Sequence, residues 1–324
     1  MSKSIAVIGA GAWGTALAVT QASAGLAVRL WARTPSRAAS IDQARTNPRL
    51  PGIVLPKGVQ VTSDMGTAIG GAAAVLLAVP VQHLRDIASR LSPATAPLVI
   101  CAKGVEAQTL LLPMEILAQC HPGVPAAVLS GPNFAAEIAG GLPAAAVLAG
   151  ADQKLRATLI DLLATRRFRL YGNVDVMGVQ IGGAAKNVIA IAAGIVIGGG
   201  LGENARAALV TRSLAEIARL TVTVGGRMET VMGLSGLGDL LLTCTGPRSR
   251  NFSLGVALGQ GATLREVLAG RTVVTEGVAT APALLARAGD VEMPICAAVT
   301  RVLDGTLSPF QAMQELLARR LRDE

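Results

Sequence analysis

The sequence predicts an α/β fold: a mostly parallel, doubly wound sheet in the first half, then an all-α second half. Three observations carry this. Short apolar runs alternate with helical stretches through residue 172. A glycine cluster, Gly9-Ala10-Gly11-Ala12-Trp13-Gly14, closes the first of those runs. Beyond residue 175 the strand-like runs fade and long segments with helical spacing take over. The chain has 324 residues. At roughly 150 residues per domain that suggests two domains, placed here at 1–178 and 179–324.

The elements follow in order. Residues 4–9 (SIAVIG) read as a strand and 15–25 as a helix ending at glycine. AVRLWA (27–32) is a second strand, followed by a polar helix and a loop running through PRLPGIVLP. VQVTSD (59–64) is a short strand, and AAVLLAVP (73–80) is a fully apolar one closed by proline. An amphipathic helix surrounds HLRDIASRL, and PLVICAKG (97–104) is the next strand. Residues 125–132, 143–150 and 167–172 supply three more. Apolar runs of this kind suit a parallel sheet covered on both faces. In the second half, 174–197, 204–224, 263–270, 276–288, 294–304 and 308–321 carry helical spacing.

Composition excludes several function classes. Hydrophobic residues make up 51% and charged residues 15%, which argues against disorder. Aromatics are only 2%, too few for base-stacking platforms on single-stranded nucleic acid. His83 and His121 are the only histidines, and Cys101, Cys120, Cys244 and Cys296 form no CxxC pair, so a zinc site is not expected. A disulfide framework does not suit a chain of this size, and a reducing compartment is the natural reading. The net charge of +8 is spread along the chain. It suits either a basic soluble surface or attraction of small anions, rather than a nucleic-acid or membrane patch. The N-terminus turns to glycine too early for a signal peptide. The apolar run after Asn187 falls short of the ~20 residues needed to span a bilayer, so a buried helix is expected.

The glycine cluster follows an apolar strand and opens a helix, an arrangement that suits a dinucleotide pyrophosphate, the alternative being a Gly-rich turn with no ligand. Gly9 allows a tight turn, Gly11 lets backbone approach a pyrophosphate, and Gly14 lets helix and strand pack closely. The helix N-terminus offers N–H groups to the anion. At the end of the second strand, where an acid often accepts a ribose hydroxyl, the chain has Trp31-Ala32-Arg33-Thr34. Arg33 is read either as a contact to a 2′-phosphate, favouring NADPH, or as an ordinary surface arginine. Lys103, just after a strand, is placed to meet an anion, or is a solvated loop lysine.

Lys186 stands in GGAAKNVIAIAAG, an almost wholly apolar helical segment. A charge buried there needs a partner or a lowered pKa, both features of general acid/base lysines; the alternative is a head that snorkels to water. Asn187 beside it could orient a substrate oxygen. Asp239 and Thr243 are four apart and share a face if GLGDLLLTC is helical. Asp239 is a candidate partner for Lys186, or else a first-turn helix acid. Ser249, Arg250 and Asn251 stand at a predicted helix start, as a phosphate cradle or as a polar turn.

GAGAWGTALA, KGVE, SGPNFAAE, GGAAKNVIAIAAG, GLGDLLLTC with SRN, and VVTEG occur in this order. Together they resemble the bacterial-type NAD(P)-dependent glycerol-3-phosphate dehydrogenases, over nearly the whole chain. The resemblance implies a Rossmann domain followed by a helical domain that binds substrate and dimerises. It implies interconversion of dihydroxyacetone phosphate and sn-glycerol 3-phosphate with NADPH or NADH, NADPH favoured, for phospholipid synthesis. It also implies a cytoplasmic homodimer with a small phosphorylated substrate and neither a nucleic-acid nor a membrane partner. Lys186 and Asp239 become the catalytic residues. Substrate is to be held by Lys103, Gly131, Asn133, Lys186, Asn187, Asp239, Thr243, Ser249, Arg250 and Asn251. Cofactor is to be held by Gly9, Gly11, Ala12, Trp13, Gly14, Arg33, Lys103, Ala135, Arg250, Val274 and Glu276. The chain departs from the family pattern in three places. Asn133 stands where Ser or Thr is usual, Arg49-Leu50-Pro51-Gly52 lacks the usual tyrosine, and Thr275 precedes Glu276. Two rivals remain: a related two-domain 3-hydroxy acid dehydrogenase, which has less use for the SRN cradle, and a non-enzymatic redox sensor, which leaves Lys186 unexplained.

Overall fold

The computed structural model describes residues 3–92, 96–270 and 275–320. Its main sheet contains β1 (Ser4–Ile8), β2 (Ala27–Trp31), β5 (Val59–Thr62), β6 (Val75–Leu77), β7 (Leu98–Ile100), β8 (Ala126–Ser130), β9 (Ala144–Ala149) and β10 (Phe168–Asn173). The strand order is β10-β9-β8-β7-β6-β1-β2-β5. Every neighbouring pair is parallel except β8 with β9. Parallel pairing needs a crossover, and the intervening helices supply it. They also cover both faces: consecutive residues Ile5, Ala6, Val7 and Ile8 are all fully buried, which one covered face could not produce. At the edge, β10 alternates instead, with Phe168 and Leu170 buried and Arg169 and Tyr171 exposed.

One stretch differs from the sequence expectation. Residues within the anticipated loop pair as an antiparallel hairpin, β3 (Thr46–Asn47) with β4 (Leu50–Val54). Proline and glycine within β4 hid it. Side chains hold it in place. Arg45, in the left-handed region at φ 53°, donates to the carbonyls of Pro56 and Val59. Buried Asn47 donates to Thr15 Oγ1 at 2.7 Å and to the Ala10 carbonyl at 3.1 Å.

The chain forms two compact units. One runs to Lys103 and resumes over Leu112–Val176; the other takes Gly104–Leu111 and the chain from Met177 onward. The second is helical. Its longest helix, Val176–Gly198, is long and apolar enough to cross a membrane, because it extends N-terminally beyond Lys186. Yet 78% of its most apolar window is buried by protein, so it is a core helix. Helix Arg250–Gly259 crosses it at backbone contact. A Cβ on Gly194 would meet the Phe252 carbonyl oxygen, and one on Gly255 would meet the Ile191 carbonyl oxygen. In the same unit Glu216, on helix Gly202–Thr223, accepts from the Ile295 amide at 2.8 Å and the Cys296 amide at 3.3 Å. It thereby caps helix Pro294–Leu303.

Candidate active site

The glycine loop lies where the strand order reverses, β1 sitting between β2 and β6. In open α/β sheets ligands bind outside the carboxyl ends of the strands at this point. Gly9 has φ +119°, and a Cβ there would lie 2.5 Å from the Ala78 carbonyl oxygen, so only glycine fits. A Cβ on Gly14, on helix Ala12–Ser23, would fall on the Gly9 carbonyl oxygen, which closes helix onto strand. Gly11 differs: a Cβ there would meet nothing within 4 Å. It is the N-cap of that helix and makes no side-chain cap. Open space above it and capless amides beside it fit a pyrophosphate. Ala12 and Trp13 form the first turn of the helix, both part-buried.

Arg33 lies exposed beyond the end of β2. Sequence reasoning missed its neighbour Arg37, whose Nη2 donates to the Ala10 carbonyl at 2.9 Å and to Asn47 Oδ1 at 3.3 Å. No local pattern marks Arg37, because its partners arrive from the glycine loop and the hairpin. Further along the same edge, Lys103 follows β7 and its Nζ donates to the Gly131 carbonyl at 3.2 Å. Gly131 has φ +150° just beyond β8. Asn133 Oδ1 is buried with no hydrogen-bond partner, an acceptor in need of a donor. Ala135 begins helix Ala135–Ala139.

In the helical unit Lys186 Nζ donates to Asp239 Oδ1 at 2.5 Å and to Thr243 Oγ1 at 3.2 Å. Asp239 is fully buried, while the Lys186 side chain keeps 12% of its surface. Thr243 Oγ1 in turn donates to the Asp239 carbonyl at 2.6 Å, one turn earlier in helix Asp239–Cys244. Gly182 makes this possible. A Cβ there would lie 2.7 Å from the Ser235 carbonyl oxygen, so glycine lets the Leu234–Gly238 turn close against the long helix one turn before Lys186. Asp239 follows that turn directly.

The Gly194–Gly255 crossing does the same for the second cluster. Ser249 is the N-cap of helix Arg250–Gly259, and its Oγ accepts from the Phe252 amide at 3.2 Å. Arg250 is exposed at the first position of that helix. Asn251 is buried: its Nδ2 donates to Asn187 Oδ1 at 2.9 Å and its Oδ1 accepts from the Gly277 amide at 3.0 Å. Both amide oxygens therefore accept internal hydrogen bonds. Glu276 opens helix Glu276–Ala288 immediately before Gly277. Val274 lies outside the described residues.

Cys101, Cys244 and Cys296 are buried. Burial pushes Cys101 and Cys244 up to about 12. Among the described residues no group of three His, Cys, Asp or Glu is placed to hold a metal.

A glycine-loop α/β unit and a helical unit with a buried lysine–carboxylate pair define a nicotinamide-dependent dehydrogenase of Rossmann type. Two family models match consecutive parts of the chain. The N-terminus model of NAD-dependent glycerol-3-phosphate dehydrogenase matches residues 4–156, and the C-terminus model matches residues 175–314. The glycerol-3-phosphate dehydrogenase [NAD(P)+] of Gluconobacter oxydans is 54% identical over 320 residues, 97% of each chain. That of Acidiphilium cryptum is 56% identical over 321 residues, 98% of each. The crystal structure of glycerol-3-phosphate dehydrogenase from Coxiella burnetii superposes with a TM-score of 0.94 at 39% identity, covering 98% of this chain and 99% of that one. The chain belongs to the NAD-dependent glycerol-3-phosphate dehydrogenase family.

Proposed function

We infer that the chain is an NAD(P)-dependent glycerol-3-phosphate dehydrogenase that interconverts dihydroxyacetone phosphate and sn-glycerol 3-phosphate. Full-length identity near one half to relatives of that name supports it. The observation that carries the chemistry is Lys186, paired with buried Asp239 and still partly accessible.

When bound, NAD(P)H supplies the hydride. The chain supplies geometry and charge. The Gly9–Gly14 loop and the helix it opens hold the pyrophosphate, with Ala12, Trp13, Arg33, Lys103, Ala135, Arg250, Val274 and Glu276 as further cofactor contacts. Lys186 Nζ hydrogen-bonds the ketone oxygen and gives it a proton as charge develops there. Asp239 holds and aims the Lys186 head, and Thr243 fixes the same head from a second direction. The Arg250 guanidinium meets the substrate phosphate, which contributes binding remote from the reacting carbon. Ser249, Asn251 and Asn187 shape that end of the site. Lys103, Gly131 and Asn133 are further substrate contacts, and Asn133 Oδ1, buried without a partner, suits a hydroxyl donor.

The family resemblance extends the reading to a cytoplasmic homodimer that feeds phospholipid synthesis. Four free cysteines suit a reducing compartment. Exposed Val222, Met228 and Met232 on the helical unit suit self-association. The test follows nicotinamide absorbance with dihydroxyacetone phosphate or unphosphorylated dihydroxyacetone. Oxidation of cofactor by the phosphorylated ketone is expected; equal rates with both ketones overturn the phosphate assignment, and no rate with either overturns the reading.

A further inference from the structure

Arg33, Arg37 and Arg49 come together from three different elements: Arg37 bonds the glycine loop, and Arg33 and Arg49 lie near enough for their charges to act on it. Arg33 follows β2. Arg37 stands in the first turn of helix Pro35–Ala44, whose N-cap Thr34 accepts from the Arg37 amide at 3.4 Å. Arg49 lies in the turn between β3 and β4, and its amide donates to Asn47 Oδ1 at 3.0 Å. Arg37 Nη2 contacts that same oxygen as well as the Ala10 carbonyl. Asn47 thus ties the hairpin arginine and the helix arginine to the backbone of the glycine loop. Arg33 and Arg49 are exposed, and Arg37 is half-buried beneath them.

Like charges gathered in one place repel. Burial first, then Arg49 and Arg33, hold the Arg37 guanidinium below its ordinary pKa. Among the described residues none of the three is in an ion pair. A cluster of cations without a carboxylate is matched by an external anion. Guanidiniums recognise phosphate monoesters through forked, charge-assisted bonds. Beyond the second strand of a dinucleotide fold, the group that arrives is the ribose of the adenosine half.

We propose that Arg49, delivered by the β3–β4 hairpin, joins Arg33 over an Arg37 floor to form a three-guanidinium clamp for the 2′-phosphate of NADPH, and that Arg49 is a specificity-determining residue for that cofactor. This rests on the dehydrogenase reading and deepens it. The hairpin then has a task that explains its anchoring: a free loop would not hold Arg49 against two other cations. Arg37, bonded to the Ala10 carbonyl, sets the floor; Arg33 and Arg49 supply exposed arms.

The test is calorimetric binding at low salt, where such contacts are least screened. The probes are adenosine 2′,5′-bisphosphate and 5′-AMP, with the full chain and its Arg49→Ala variant. Arg49 is exposed and only its backbone is bonded, so the substitution leaves the hairpin's anchors intact. The wild type is expected to bind the bisphosphate at least ~10-fold more tightly than 5′-AMP, by the affinity of charge-assisted phosphate contacts. Arg49→Ala is expected to remove most of that ratio while changing 5′-AMP affinity less than about twofold, since 5′-AMP has no 2′-phosphate to lose. An unchanged ratio in the variant overturns the role of Arg49, and equal binding of both probes by the wild type overturns the clamp; neither touches the dehydrogenase reading, which NADH turnover still tests. Binding of neither probe overturns both.

Discussion

Lys186 and Asp239, 53 residues apart in sequence, meet at 2.5 Å, and the carboxylate is fully buried while the ammonium keeps a small opening to the exterior. The asymmetry sets their roles. A buried carboxylate favours a cationic head beside it, and of the two side chains only that of Lys186 keeps exposed surface. Thr243 bonds both partners, through Nζ and through the Asp239 carbonyl, so the ammonium is held from two directions.

Lys186→Met keeps the apolar stem and removes charge and proton. Loss of general acid catalysis costs about 10²–10⁴-fold and loss of alkoxide stabilisation adds to it. We expect kcat to fall by more than ~10³-fold on those grounds, with NADPH binding retained. Because buried Asp239 loses its ion pair with Lys186, the variant is also expected to lose about 3–5 kcal/mol of stability. Lys186→Met with Asp239→Asn should regain much of that stability but no activity, because the pair acts as a unit. Steady-state kinetics with thermal melts on both variants and the wild type separates the two effects. A Lys186→Met protein that keeps a tenth of its kcat would show that another group delivers the proton.

Arg250 is exposed at the start of its helix, so its removal leaves no buried vacancy. Arg250→Ala is expected to lower kcat/KM for dihydroxyacetone phosphate by at least ~10²-fold, the cost of a charged contact to a desolvated phosphate. The melting temperature should not change. The discriminating measurement is the ratio of kcat/KM for phosphorylated and unphosphorylated ketone, which should collapse toward unity in the variant. A preserved ratio would move the phosphate elsewhere.

These assignments differ in how legible they were. The parallel strands were readable because burial on both faces turns each into an apolar run, and Gly9–Gly14 because its glycines follow one such run. Lys186 was conspicuous as a charge in an apolar helix, and Ser249 stood at a recognisable helix start. The Asn187–Asn251–Gly277 chain was not legible, since it joins three segments that meet only through the crossing at Gly194 and Gly255. The hairpin was hidden by Pro51 and Gly52, and with it the link from Arg37 and Arg49 to the glycine loop. Local pattern reveals what burial and turn chemistry impose on consecutive residues; it does not reveal which distant side chains a close backbone approach will unite.

That close approach can be tested directly. A Cβ on Gly194 would lie 2.8 Å from the Val256 amide nitrogen and 2.9 Å from the Gly255 Cα, both backbone atoms that cannot swing aside. Gly194→Ala should therefore push helix Arg250–Gly259 away, at about 1–3 kcal/mol for overpacking. The shift carries Asn251 from Asn187, so KM for the substrate should rise along with the lost stability. Gly11→Ala is the contrast, since open space surrounds that position. It should leave the melting temperature within a degree or so of wild type, as surface changes do, while weakening NADPH binding. Equal melting losses in the two variants would contradict the packing account.

Glu216 gives a pH prediction whose sign follows from its surroundings. Its residue is only 2% exposed. Burial pushes the carboxyl up to about 7, opposed by the amides of Ile295 and Cys296 and by the nearby charges of Arg219 and Arg319. In the unfolded chain a glutamate titrates near ~4.3. Below that value both states are protonated and the group is neutral with respect to folding. Between ~4.3 and about 7 the unfolded state releases the proton and the folded state keeps it, so stability falls as pH rises. Above that window the full penalty, on the order of 3 kcal/mol by linkage, is in place. Glu216→Gln keeps an oxygen for one of the two amides and cannot ionise. Its urea midpoint should exceed that of the wild type at pH 8 and converge with it toward pH 5, the reverse of the behaviour of a carboxylate in a favourable ion pair. A wild-type midpoint that rises through this window, and a variant that follows it, would mean that Glu216 is ionised at no cost and that the amides of the helix Pro294–Leu303 outweigh its burial.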